Sequence, residues 1–130
     1  MDAILVPVSP GELLDKITIL RIKSARIQDA GRLANVRREL ALLEDSWRES
    51  VASAAQLAED EAALERINTQ LWDIEDQIRR LESQRCFDAG FIALARAVYL
   101  CNDERAAIKQ RINRKLNSVI IEEKSYQPYR

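Results

Sequence analysis

Seven apolar residues, Leu57, Leu64, Ile67, Leu71, Ile74, Ile78 and Leu81, recur at steps of seven, three and four. That spacing puts one continuous seam along a helix and leaves few folds open to the chain. A second series follows, Phe91, Leu94, Val98, Cys101, Ile108, Ile112 and Leu116, with Asp88 placed to cap its first turn. Each run is nearly thirty residues, roughly 40 Å of helix, and the short connection between them requires an antiparallel hairpin. Neither Gly nor Pro falls between Gly31 and Gly90, so helix two could run on into helix three. A lapse in apolar spacing from Glu49 to Ala52, followed by Ser53-Ala54-Ala55-Gln56 as a capping box, argues for a break.

The N-terminal stretch Ile4 to Ile27 joins a strand signal to a helix start. Ser9 can N-cap the helix, Pro10 presets its first φ, and Glu12 can return a bond to the Ser9 amide. Leu13, Ile17, Leu20, Ser24 and Ile27 then make an apolar stripe to about Gln28, and Leu33, Val36, Leu40, Leu43 and Trp47 continue it on a second helix. Ile4 to Val8, with Pro7 confining it to an edge, reads as a strand whose partner is Val119-Ile120-Ile121. The expected fold is therefore all-α, an antiparallel helical bundle built on the helix-3/helix-4 hairpin, with a small two-stranded β-ribbon formed by the N- and C-terminal segments. At 130 residues the chain is expected to form one domain, residues 1–130.

Charge is nearly balanced, with 20 basic and 21 acidic side chains, so no overall field draws the molecule to nucleic acid or an anionic membrane. Locally it is uneven. Lys16 to Arg38 holds seven basic residues and one acid, and Glu44 to Asp76 holds ten acids and two arginines, which suits basic and acidic helices lying side by side. Histidine is absent. That removes the commonest general base and every nucleophile pair that depends on imidazole. Cys86 and Cys101 would lie on the order of 20 Å apart along a helix, too far to bridge, and are read as reduced thiols of a cytoplasmic protein. Ala3 to Val8 is too short for a signal peptide, and no segment is long enough to span a bilayer.

The polar exceptions on helix four mark the candidate site. Asn102, Arg105, Lys109 and Asn113 share one face, and Arg105 takes a position the seam assigns to the core. With Asp73 or Asp76 opposite on helix three, the bland reading is a buried ion-pair network that fixes register. The functional reading adds helix one: Glu12, Lys16, Lys23, Asp76, Asn102, Arg105 and Lys109 would form a cleft for a small carboxylate or phosphate. A second place for an anion is the helix-one N-terminus at Ser9 and Gly11, although Glu12 already serves that end. Asp73, Asp76 and the acids from Glu59 to Glu65 raise the question of magnesium. They lack paired glutamates facing a second acidic helix, so no metal and no cofactor are expected. Tyr126, Pro128 and Tyr129 read as a mobile tail.

The strings VPVSPGELLDKITIL, LANVRRELALLE, LWDIEDQIR, ARAVYLCNDERAAIKQRIN and EEKSY closely resemble a bacterial family catalogued as a domain of unknown function. The resemblance covers nearly the whole chain, with Ser50 to Glu65 outside its signatures. It implies no activity or substrate. It does direct attention to Lys16, Asp76, Asn102, Asp103, Arg105 and Lys109, polar positions within those strings. The expected role is a non-catalytic interaction or scaffold module that self-associates through the long hairpin, with Trp47 or Trp72 as anchors, possible homodimer formation, and an unidentified protein partner. The rival expectation is a binding protein or enzyme for a small anionic metabolite in the polar cleft.

Overall fold

The structure, a computed structural model, describes residues 1–51 and 53–129; Ala52, in the lapse between helices two and three, and Arg130 lie outside them. Four α-helices make up the fold: α1 Pro10–Arg26, α2 Ala30–Ser50, α3 Ala58–Ser83 and α4 Ala89–Lys115. A single 3-10 turn, Ala55–Leu57, leads into α3. Helices two and three are thus separate. The turn has no side-chain cap, so the proposed Ser53 capping box does not form. Glu59, Asp60 and Glu61 in the first turn of α3 supply negative charge to its positive end instead.

α3 and α4, 26 and 27 residues long, form the expected hairpin. α3 closes with Arg85 in the left-handed region at φ 53, Cys86 N–H bonding Leu81 and Arg85 N–H bonding Glu82. This paired termination turns the chain sharply without glycine. Asp88 then accepts from the Phe91 amide at 3.1 Å and restarts the helix. α4 ends the same way, at Asn117 with φ 53, and Ser118 N–H bonds Asn113.

α1 is the helix the others surround. It packs on α2 along one side and on both α3 and α4 along the other, and Leu14, Ile17, Leu20 and Ile22 are buried. Its apolar face is wider than the single stripe read from spacing because it meets two layers. Leu14, Leu57, Leu64, Ile67, Ile108 and Ile112 form the core cluster, with Trp47 and Leu116 packed against it. Basic α1 does lie on acidic α3: Arg21 pairs with Glu61 at 2.6 Å and Arg26 with Asp73.

The terminal β-ribbon is not present. No strand occurs among the described residues, and the two segments diverge. Ile4 to Val8 runs beside Leu43 and Trp47 of α2, lining a hollow with them, whereas residues 122–129 run back along α4. Ser118 bends its own chain, accepting from Ile120 N–H at 3.2 Å and donating to Ile120 C=O at 2.7 Å. A strand would need those groups for its ladder. Nor is the C-terminal segment a free tail: Lys124 and the Tyr129 hydroxyl both bond Asp103, and the Tyr129 ring meets Tyr99 edge-on at 5.0 Å.

Candidate functional site

The polar face of α4 meets α1, not α3. α1 runs antiparallel to α4, so that Gly11 lies against Asn113, Glu12 against Lys109 and Asp15 against Arg105. Asp15, with a side chain 1% exposed, is the centre of the network. Its carboxylate accepts from Arg105 through both Nε (2.9 Å) and Nη2, a two-pronged pairing, and from Asn68 Nδ2 at 2.9 Å. Asn68 also donates to Thr18 Oγ1 at 3.0 Å. No buried side-chain nitrogen or oxygen among the described residues lacks a partner, as a network in a low-dielectric interior requires. The Asp15 carboxylate raises the Arg105 pKa above its ordinary value, outweighing the opposite effect of burial.

A second layer lies one turn further along. Lys109, its side chain 15% exposed, binds Glu12 and, at 3.2 Å, Glu122 from the C-terminal segment. Burial alone would lower the Lys109 pKa; the hydrogen bond and charge of Glu12 raise it instead. Glu122 accepts from Ser9 Oγ at 2.6 Å. Burial pushes the Glu122 pKa up, and the Ser9 and Lys109 contacts bring it below the ordinary value. Lys16 reaches Glu12 at 3.6 Å from an exposed position. Where α1 meets α4 most closely, Gly11 leaves no room for a side chain: a Cβ there would sit 2.6 Å from the Lys109 carbonyl oxygen.

The N-terminus of α1 is already occupied by the chain itself. Ser9 Oγ accepts from Glu12 N–H at 3.1 Å, Asn113 Oδ1 from Gly11 N–H at 2.7 Å, and Ser9 C=O from Leu13 N–H at 3.1 Å. These amides carry no anion site. Glu12 turns to Lys109 and Lys16, away from the capping bond read from sequence.

Of the predicted site residues, Glu12, Lys16, Arg105 and Lys109 come together as described. Lys23, Asp76 and Asn102 lie apart from that layer, on a hollow of about 600 Å³ between α1, α3 and α4 that also touches Arg105. The acids proposed opposite Arg105 do not meet it; Asp73 binds Arg26 at the surface and Asp76 is exposed. Sequence reasoning missed Asp15, Thr18 and Asn68. Asp15 and Thr18 stand at i and i+3 beside Leu14 and Ile17, but Asp15 lies off the stripe through Leu13, Ile17 and Leu20, so the spacing that exposed Arg105 did not expose it. Among the acids of α3, Asp60, Glu61, Asp73 and Glu75 have cationic partners. Buried Asp60 binds Arg111 at 3.2 Å and Lys115 at 2.7 Å. Burial raises the Asp60 pKa, but the bonds from Lys115 and Arg111 bring it below the ordinary value. No cluster of three metal-binding side chains occurs among the described residues, both cysteines are free, and no helix is long and apolar enough to cross a membrane.

Fold and site together define a small all-α protein in which one helix is locked onto a long two-helix hairpin by a fully satisfied ionic seam. The sequence profile described as "Family of unknown function (DUF6165)" matches residues 4–129, and the chain belongs to that family. No curated protein and no solved structure matches it.

Proposed function

We propose that this protein is a non-catalytic interaction module that pairs with a second copy of itself through the outer half of the α3–α4 hairpin. One observation carries the reading: no residue from Thr69 to Ala107 is buried, although this stretch holds Leu71, Trp72, Ile74, Ile78, Leu81, Phe91, Leu94 and Val98. α1, of 17 residues, is too short to cover a hairpin of roughly 40 Å. Its last turn pairs with Asp73, and Ile22 and Lys23 border a hollow shared with Trp72 and Asp76. Beyond it the apolar groove runs on uncovered, with Ile92 57% and Phe87 55% exposed, and such a face favours association.

The charges on that face suit a second copy. Residues 75–80 read Glu-Asp-Gln-Ile-Arg-Arg, acids at one end and bases at the other, and all four charged residues are exposed. Glu75 and Arg79 pair along the helix at 3.2 Å, and the order of two acids followed by two bases lets an antiparallel second copy bring its Arg79 and Arg80 toward Glu75 and Asp76, twice over. Such a surface is complementary to itself, as an isologous interface requires. The polar seam supports the non-catalytic half of the reading, because Arg105 and Lys109 are already bound by carboxylates of their own chain. Two free thiols fit a cytoplasmic setting.

Sedimentation equilibrium tests the pairing. Wild type is expected to dimerise in the micromolar range. Glu75→Arg/Asp76→Arg and Arg79→Glu/Arg80→Glu should each be monomeric alone and form a mixed dimer when combined. A wild type that stays monomeric to high micromolar concentration, or reversal variants that dimerise as well as wild type, would overturn the reading.

A further inference from the structure

We propose that the hollow beneath the C-terminal segment binds a small, uncharged heteroaromatic ring of nucleobase type. This site lies beside α4 on the Tyr99 side and does not depend on the pairing proposed for the hairpin. Residues 122–129 are tied to the helix at both ends, by Glu122 to Ser9 and Lys109 and by Lys124 and Tyr129 to Asp103. Between those ties they roof a hollow of about 740 Å³, within the range of small-ligand sites.

Arg105, Asn102, Tyr99, Tyr126, Tyr129 and Val98 are among the residues that line it; Arg105 and Asn102 also border the hollow between α1, α3 and α4. Asp15 takes the Nε and Nη2 donors of Arg105. Nη1 makes no bond among the described residues and is not fully enclosed. The guanidinium plane is therefore held in place by Asp15 with one donor edge presented. Three residues earlier on α4, the half-buried Asn102 amide has no partner among the described residues and offers both a donor and an acceptor. Those two side chains supply the edge pattern that arginine and asparagine use to read a base. Tyr126, 78% exposed and with Lys124 over its ring at 5.2 Å, supplies an aromatic face on which a ring can stack.

Charge excludes the more obvious ligands. Lys109 is held by Glu12 and Glu122, and Lys124 by Asp103, so these cations already have carboxylate partners and are poorly placed to draw in phosphate or carboxylate. A neutral ring loses nothing there, and its acceptor and donor atoms meet the uncommitted groups.

Isothermal titration calorimetry with adenine, hypoxanthine, cytosine and uracil, with benzoate and indole alongside, tests the assignment on the full chain. At least one base is expected to bind, and both Asn102→Ala and Tyr126→Ala should weaken it tenfold or more. Both positions are clear of the core cluster, and circular dichroism of each variant checks that it remains folded. Absence of heat with every base, binding of benzoate or indole in preference to them, or base binding unchanged in either folded variant would overturn the proposal.

Discussion

Replacing Arg105 by methionine is the sharpest test of the ionic seam, because the two partners differ so much in exposure. The Asp15 side chain is 1% exposed and that of Arg105 30% exposed. Arg105→Met strands a carboxylate that cannot reach water and retains only Asn68 as a donor. Breaking a buried pair in this way costs about 3–5 kcal/mol. At about 3–5 °C per kcal/mol for a chain of this length, the melting temperature should fall by roughly 10–20 °C. Asp15→Leu is the milder change. It strands a guanidinium that can turn toward solvent, and about 1–2 kcal/mol should be lost. In the double variant both charges are gone, Asn68 keeps its bond to Thr18, and the cost should be about 1 kcal/mol, well below the sum of the single changes. Urea unfolding followed by far-ultraviolet circular dichroism measures all three. If Arg105→Met costs less than about 1 kcal/mol, if Asp15→Leu is the more damaging, or if the two effects simply add, the seam is not the buried, coupled network described here.

Two further perturbations follow from the contacts around it. Gly11→Ala places a Cβ 2.6 Å from the Lys109 carbonyl oxygen and 2.8 Å from Asn113 Oδ1, and should cost about 1–3 kcal/mol by overpacking. Gly31→Ala, whose Cβ would come no closer than 3.5 Å to Asp29, should be neutral or stabilising; equal urea midpoints for the two variants would refute the close approach of α1 to α4. Asp60 and Glu122 have folded pKa values below their ordinary ones, so the unfolded chain binds more protons. Their contribution is present above the unfolded values and lost as pH falls through the folded ones. The urea midpoint should therefore drop below about pH 4.5, and Asp60→Asn should flatten that drop; an unchanged acid profile in this variant would contradict it.

The helices were legible because their signals are local. Ser9, Asp29 and Asp88 each accept an amide hydrogen within their own helix start, and the α3 and α4 seams required a hairpin whatever else the chain did. The terminal ribbon failed because β-branched content says that a segment can be extended and nothing about whether a partner lies alongside. Ile4 to Val8 found α2, and Glu122 and Lys124 found α4. Arg105 and Lys109 stood out as polar residues on an apolar face, but their partners could not be read from the hairpin register. Which helix sits in a groove is a tertiary choice, and α1 took the place assigned to Asp73 and Asp76. Asp15 was hidden for the same reason. A lone acid between Leu14 and Ile17 looks like a boundary residue until the helix is known to be covered on two sides.

That choice of helix also explains why the seam is ionic at all, since apolar residues of similar volume would hold α1 at least as tightly. Apolar stripes specify that two helices meet but tolerate a slip of one turn; charges do not. As α1 advances through Gly11, Glu12 and Asp15, its partners on α4 retreat through Asn113, Lys109 and Arg105 in steps of four. Slide α1 one turn in one direction and Asp15 faces Lys109, but Arg105 is left against Ile19. Slide it the other way and Glu12 faces Arg105, but Asp15 is buried against Cys101. Either slip strands a charge, at several kcal/mol, whereas the apolar contacts would lose far less. The uncharged double variant at Asp15 and Arg105 should therefore recover stability without recovering a fixed α1. Amide hydrogen exchange separates the two properties: in that variant the α1 amides should exchange faster than those of α3, at nearly wild-type global stability. If α1 and α3 still exchange together, register is set by the Gly11 contact and the core alone, and the ionic seam needs another explanation.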